Sequence, residues 1–286
     1  MTVLPAAPGT GLVFVRTDLN PKIEIPADVH HVVDSRLATT LGRDGVTVGT
    51  VEHLLAALYG LGIDNARIEV SGPEVPILDG SAEPFVRMVL SGGGTVAQRS
   101  RPKRFFVVKK TVRITDGDRS VALRPHDCFT IDFSIDFPHP VVGKQRCEFV
   151  LSDRSFLYQV SRARTFGFAR EVAALKAAGY ARGGSLDNAV VVDDFCVQNP
   201  DGLRYPDEFV RHKVLDALGD LSLLGAPIIG RFEAVRAGHA LTAALLHKLL
   251  SMPRAYEIRE FRQRAELDVA KIRLPELAAL RVPARA

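Results

Sequence analysis

Apolar side chains fall at every second position in Phe129-Thr-Ile-Asp-Phe-Ser-Ile-Asp-Phe137, the signature of a strand with one face against a core. Shorter β-branched and aromatic runs predict further strands at Leu12–Arg16, Ala66–Val70, 104–109, 120–124 and 230–235. Between them the apolar period lengthens to that of a helix. Residues 51–60, 206–224 and 238–250 predict helices, with weaker helical stretches at 152–159 and 169–178. Thr50 reads as the N-cap of the first helix, and Gly60 or Gly62 as its stop.

The elements fall into two groups. Ser91-Gly-Gly-Gly-Thr95 and the basic run Arg99-Ser-Arg-Pro-Lys-Arg104 mark the natural boundary, giving a first domain over 1–97 and a second over 104–286. The runs that begin at His53 (His-Leu-Leu-Ala-Ala-Leu-Tyr-Gly-Leu-Gly) and at His212 (His-Lys-Val-Leu-Asp-Ala-Leu-Gly-Asp-Leu) resemble one another. This weak internal repeat predicts an α+β protein of two related domains facing each other across their helices.

Composition narrows the function classes. With 47% hydrophobic and 24% charged residues in 286, the chain has ordinary globular makeup. A formal charge of +4 is compatible with an anionic ligand and too weak and scattered for nucleic acid. Cys128, Cys147 and Cys196 are odd in number and match no paired spacing, so no disulfide framework is expected and a reducing compartment fits. No apolar run approaches the ~18 residues of a membrane span, and the amino terminus lacks a signal-peptide pattern. The expectation is a cytoplasmic monomer with at most peripheral membrane contact.

Candidate chemistry centres on two helices. His212 and Asp216 lie one turn apart on one face, and Glu52 and His53 are adjacent near the start of another helix. Two His and one Asp close three positions around Zn²⁺ and leave a fourth for water, with Glu52 beside it as base. Taken singly, each pair also suits a surface ion pair or a polar helix start. His30, His31, His126, His139 and His247 fit no such site and are assigned to surface or structure.

Six stretches together resemble the UDP-3-O-acyl-N-acetylglucosamine deacetylase (LpxC) family. They are Val51-Glu-His-Leu-Leu-Ala-Ala-Leu-Tyr-Gly-Leu-Gly-Ile-Asp-Asn65, Pro76-Ile-Leu-Asp-Gly-Ser-Ala-Glu-Pro-Phe85, Ser161-Arg-Ala-Arg-Thr-Phe-Gly-Phe168, Gly183-Gly-Ser-Leu-Asp-Asn188, Arg211-His-Lys-Val-Leu-Asp-Ala-Leu-Gly-Asp220 and Ala237-Gly-His-Ala-Leu241. The resemblance implies a zinc amidase of lipid A biosynthesis that releases acetate from UDP-3-O-(3-hydroxyacyl)-N-acetylglucosamine. It implies two βααβ-type domains (ribosomal protein S5 domain 2-like) with the active site between their helix layers. It makes His53, His212 and Asp216 the zinc ligands, Glu52 the general base and His239 the electrophile and general acid. Asp220 would orient His239, and Thr165 would hydrogen-bond the oxyanion.

For the UDP-linked acylated glucosamine, the resemblance assigns Lys213 and Arg236 to the diphosphate and Asp136 with Phe137 to the uracil. An inserted β-α-β segment over about 163–194 would form the acyl passage, with Phe166 and Phe168 among its lining. Filling of the second domain's core is the competing reading of those aromatics. Family members usually carry a further strand and a Gly-x-Gly-Leu-His segment upstream of the stretch that here is Leu4-Pro-Ala-Ala-Pro8. The first sheet is therefore expected to lack an edge strand. A zinc amidase for another acylated amino sugar and a catalytically silent binding module are the alternatives. Retention of both Glu52 and His239 favours an enzyme.

Overall fold

The computed structural model describes residues 1–261 apart from 99, 178 and 180–182. Residues 262–286 of the expected second domain, Arg99 of the basic run and Ala178 at the end of an expected helix lie outside the described residues.

The chain opens with β1 (Thr2–Pro5), β2 (Leu12–Arg16) and β3 (Ile23–Pro26). A small antiparallel meander, β4 (Val32–Asp34), β5 (Thr40–Arg43) and β6 (Val46–Val48), leads into α1 (Glu52–Gly60). After it, β7 (Ala66–Val70) completes a four-stranded sheet in the order β1-β7-β2-β3. β2 and β7 run parallel, Leu12 opposite Ala66 and Arg16 opposite Val70, so α1 lies on the crossover that parallel strands require. β1 stands at the sheet's edge, and β7 is its partner among the described residues. Then comes α2 (Glu83–Ser91), with Pro84 in the first turn, where an imino nitrogen costs no helical bond.

The second sheet uses β8 (Lys103–Val108), β9 (Val112–Asp116), β10 (Arg119–Arg124), β11 (Phe129–Asp136) and β12 (Lys144–Val150). A short helix α3 (Asp153–Ser155) runs on into one π-helical turn over Phe156–Val160. Strand β13 (Phe166–Phe168), helix α4 (Ala169–Ala177) and strand β14 (Val190–Val192) then form a separate two-stranded parallel unit. The chain returns through α5 (Glu208–Ser222), β15 (Ile228–Val235), α6 (His239–Leu250) and β16 (Tyr256–Phe261). The main sheet has the order β12-β11-β15-β10-β9, with β8 pairing the start of β15 and β16 pairing β8. The architecture is mixed α+β. No helix among the described residues is long and apolar enough to cross a membrane.

Helix α1 is buried on nearly every side, with Leu54, Leu55, Ala56, Ala57 and Leu58 fully enclosed. Such a helix belongs in the middle of a core, and each enclosed leucine contributes about 1.5–3 kcal/mol. It packs against α5, which also contacts β11, β12 and α6. Gly219 sets the closeness of that packing: a Cβ there would lie 2.1 Å from the Glu52 carbonyl oxygen.

The ends of α1 correct one expectation and refine another. Val51, not Thr50, occupies the N-cap position, and no side chain caps the helix. Thr50 has φ 56° and donates its hydroxyl to Glu74 Oε1 at 2.7 Å, so the neighbouring loop has taken the group that would have capped α1. At the other end Gly62 is left-handed, φ 69°, and the bonds Gly62 N–H to Tyr59 O and Ile63 N–H to Leu58 O complete a Schellman-type stop.

Candidate metal centre and proton-transfer groups

Helix α5 carries Glu208, His212, Asp216 and Asp220 at four-residue spacing, a buried polar stripe flanked by Arg211 and Lys213 on a helix whose other buried positions are mostly apolar. The stripe's first carboxylate is fully engaged within the protein. Glu208 accepts from Arg164 N, Nε and Nη2 and from Arg204 N. The remaining three residues meet the first turn of α1. Glu52 and His53 are each 3% exposed there, against 2% for His212 and 5% for Asp216.

Ligand-type atoms converge at this meeting. His212 Nε2 is 3.2 Å from Asp216 Oδ1, and His53 Nε2 is 3.5 Å from the same oxygen. One such atom from each of the three residues lies within 4.8 Å of the others. Donors at ~2.0–2.1 Å from a tetrahedral Zn²⁺ stand about 3.3–3.4 Å apart, so the spacing fits a shared cation.

The donor chemistry fits as well. His212 donates Nδ1–H to the Ala163 carbonyl at 3.1 Å, which leaves the Nε2 lone pair turned to the triad. Burial keeps this imidazole neutral by pushing its pKa down to about 3. Among the described residues the buried Nδ1 of His53 has no hydrogen-bond partner, and its Nε2 contact with Asp216 is longer than an ordinary hydrogen bond. Nε2 is thus the ring nitrogen that faces the triad, with its lone pair open to a shared cation. Burial opposes ionisation of Asp216, but His212 and the Lys213 ammonium, 2.7 Å away, hold its carboxyl well below the usual range. The set is two imidazoles and a carboxylate. A second group, His126, Asp127 and Cys128, is three consecutive residues, exposed at the first two, and His126 Nδ1 bonds within the loop at Cys128.

Two titratable groups border the triad with their pKa values displaced. Burial raises the Glu52 carboxyl above its ordinary value. Burial acts to lower His239, yet Asp220, followed by Asp216 and Glu52, outweighs it and lifts the imidazole to about 9. His239 opens α6 and donates Nδ1–H to Asp220 Oδ2 at 2.8 Å, while its Nε2 points toward the triad, 3.9 Å from Asp216 Oδ2. The site thus carries a carboxylate that accepts a proton more readily than usual and an imidazolium that persists at neutral pH.

The remaining expected residues fall in three places. Thr165 lies between two residues that touch His212, and its backbone is tied to Gly80 O and Val190 N. Phe166 and Phe168 form one aromatic cluster with Phe137, and Phe166 continues it to Phe209 and the His212 ring. Lys213 is on Asp216, as its i, i+3 spacing allows. Arg236 and Asp136 are neighbours at 3.7 Å on a partly exposed rim, where Arg236 also meets Asp118 at 2.8 Å. One residue had no signal in the sequence: Thr39, 2% exposed, touches Glu52, Asp220 and His239 at once.

Residues 1–251 match the model of the family described as UDP-3-O-acyl N-acetylglycosamine deacetylase. A protein of Myxococcus xanthus, named UDP-3-O-acyl-N-acetylglucosamine deacetylase, is 55% identical over 92% of this chain and 83% of its own length. Proteins of the same name from Anaeromyxobacter dehalogenans and Hahella chejuensis are 48% and 50% identical, each over 97% of this chain and over 89% and 92% of their own lengths. With a match of that extent across the elements that carry the site, the chain belongs to the UDP-3-O-acyl N-acetylglycosamine deacetylase family.

Proposed function

We propose that this protein hydrolyses the N-acetyl group of UDP-3-O-(3-hydroxyacyl)-N-acetylglucosamine, in lipid A biosynthesis, with Zn²⁺ held by His53, His212 and Asp216. The observation that carries the reading is the pairing of a raised Glu52 with a raised His239 around one His-His-Asp cluster. When bound, the metal supplies Lewis acidity that brings the pKa of a water from 15.7 to about 7. Glu52 accepts a proton from the attacking water, and burial makes that carboxylate a stronger base. A C–O bond forms to the acetyl carbon as the carbonyl π pair moves onto oxygen, and the C–N bond breaks when that oxyanion collapses. His239, cationic through its bond to Asp220, delivers a proton from Nε2 to the departing amine. Thr165 donates to the oxyanion between the two events.

The substrate's other parts are assigned on the same basis. Arg236 serves the diphosphate and Asp136 with Phe137 the uracil, at the rim where these residues are neighbours. Lys213, whose ammonium rests on Asp216, serves the diphosphate with Arg236. The aromatic cluster of Phe166 and Phe168 on the β13-α4-β14 unit starts the acyl passage. Two related domains, over 1–97 and 104–286 with an insertion at about 163–194, are supported by the two larger of the four sheets and by the contact between α1 and α5. A cytoplasmic monomer that touches the membrane only peripherally completes the reading.

The test is direct. Purified, zinc-loaded protein incubated with a series of UDP-3-O-(3-hydroxyacyl)-N-acetylglucosamines of different acyl lengths is expected to release acetate and a free amine in equal amounts from at least one of them. Glu52→Ala should lose at least ~10²-fold in rate while retaining zinc. Absence of acetate from the wild type, or an undiminished rate in the variant, would defeat the assignment.

A further inference from the structure

We propose that Thr39 is a positioning residue for this hydrolysis, fastening the Glu52 carboxylate and the Asp220–His239 pair to a single point of the backbone. The inference rests on the deacetylase reading above and deepens it. Thr39 stands immediately before β5, on the small meander, and so belongs to none of the helices that carry Glu52, Asp220 and His239. Its N–H donates to Glu52 Oε2 at 3.0 Å, which leaves Oε1 to take a proton. Its hydroxyl donates to Asp220 Oδ1 at 2.6 Å, while Oδ2 of the same carboxylate accepts from His239. Its carbonyl accepts from Val51 N at 3.3 Å, the residue before α1. Every polar atom of Thr39 is therefore spent on the start of α1 or on the proton-transfer groups.

The geometry makes these contacts interdependent. With Oδ1 held by Thr39 and Oδ2 by His239, the Asp220 carboxylate cannot rotate without breaking both bonds. Its orientation fixes the imidazole plane and so the direction of Nε2. Thr39 Oγ1 also lies 3.3 Å from His239 Nδ1, where its lone pair faces the ring N–H. The backbone bond to Glu52 is independent of side-chain type, whereas the bond to Asp220 requires a hydroxyl. Thr39→Val keeps the shape and the backbone bond to Glu52 but deletes the hydroxyl's contacts with Asp220 and His239; Thr39→Ser keeps them.

A merely structural threonine and a positioning one differ in what they change. Loss of a buried hydrogen bond alone would lower the melting temperature and leave turnover per zinc-loaded molecule unaltered. Loss of positioning lowers kcat at unchanged KM and zinc content. We expect Thr39→Val and Thr39→Ala to lose about 10- to 100-fold in kcat, the worth of one hydrogen bond to a charged group, and Thr39→Ser to stay within about threefold of wild type. In an Asp220→Asn background Thr39→Val should add little further loss, because both changes cut the same connection. A proton NMR spectrum of the zinc-loaded chain gives a readout that needs no substrate. The His239 Nδ1–H resonance, identified by its loss in His239→Ala, should shift or broaden in Thr39→Val and return in Thr39→Ser. Wild-type protein that releases no acetate would count against the deacetylase reading, and the resonance would still decide Thr39. Equal kcat losses in the serine and valine variants, or wild-type kcat and an unmoved resonance in Thr39→Val, would overturn the proposal.

Discussion

Gly219→Ala should damage the site although it lies on a helix where alanine is the better helix former. In an ordinary helix interior this exchange stabilises by about 1 kcal/mol. Here the added methyl would sit 2.1 Å from the carbonyl oxygen of Glu52, 2.8 Å from its carbonyl carbon and 2.9 Å from its Cα. All three are backbone atoms of the proposed general base, so no side chain can swing aside. Contact becomes ordinary only at 3.4 Å or more, so α1 and α5 must part by about 1.3 Å at this crossing. Overpacking of this kind costs about 1–3 kcal/mol, which cancels or exceeds the propensity gain. The functional cost is larger, because a displacement of about 1 Å in a reacting group costs on the order of 10²-fold. The measurement is kcat beside melting temperature and zinc content for Gly219→Ala and wild type. We expect a fall of about 100-fold in kcat with a melting temperature unchanged or a few degrees lower. A variant that melts higher and turns over normally would show that the approach of α1 to α5 does not set the geometry of Glu52.

The other predictions concern the metal, protons and acyl chain. Elemental analysis after dialysis should find one zinc per wild-type chain and a severe loss in His53→Ala, His212→Ala and Asp216→Ala; three variants with undiminished zinc would remove the triad from metal binding. Rate against pH should be bell-shaped. Glu52 acts ionised with its pKa raised, so the acid limb lies above the ordinary carboxylate value of 4.5; His239 acts protonated, so activity falls as pH rises through about 9. Since Asp220 is what lifts His239, Asp220→Asn should move the alkaline limb to lower pH, and an unmoved limb would sever that link. Shortening the substrate's acyl chain should reduce kcat/KM by up to ~0.8 kcal/mol per CH₂, and Phe166→Ala should narrow the gap between long and short chains; equal rates for both lengths in the wild type would exclude an acyl passage.

Legibility of the fold followed the strength of the local pattern. β11 has buried residues at Phe129, Ile131, Phe133 and Ile135, and its alternation was plain in the sequence. β12 alternates too, but buries only Cys147 and Phe149 between Lys144, Gln145, Arg146 and Glu148, so its polar outer face hid it. β1, β3 and the β4–β6 meander run three or four residues each, too short for a period to declare itself. α2 was concealed by Pro84 within its first turn. In the site, His212, Asp216 and Asp220 share one helix, and their spacing alone places them on one face. Nothing periodic says that Glu52 and His53 meet that face, and the chain-wide resemblance supplied the meeting. Thr39 was invisible because its partners lie 13, 181 and 200 residues away and no helix or strand period relates them.

The hydrogen bond from His212 to the Ala163 carbonyl joins the proposed metal ligand to the segment proposed to receive the acyl group. Ala163 begins the segment that runs through Phe166 and Phe168 into the β13-α4-β14 unit, and its carbonyl also sets the tautomer and tilt of a proposed metal ligand. A guest that moved this segment would move the imidazole, so on the proposed function acyl binding and cation binding would share a coordinate. Thermodynamic reciprocity then applies: whatever factor the chain contributes to cation affinity, the cation returns to the chain. On the proposed function, removing the cation would change the affinity for the acyl group by that same factor, in the direction the shared bond dictates.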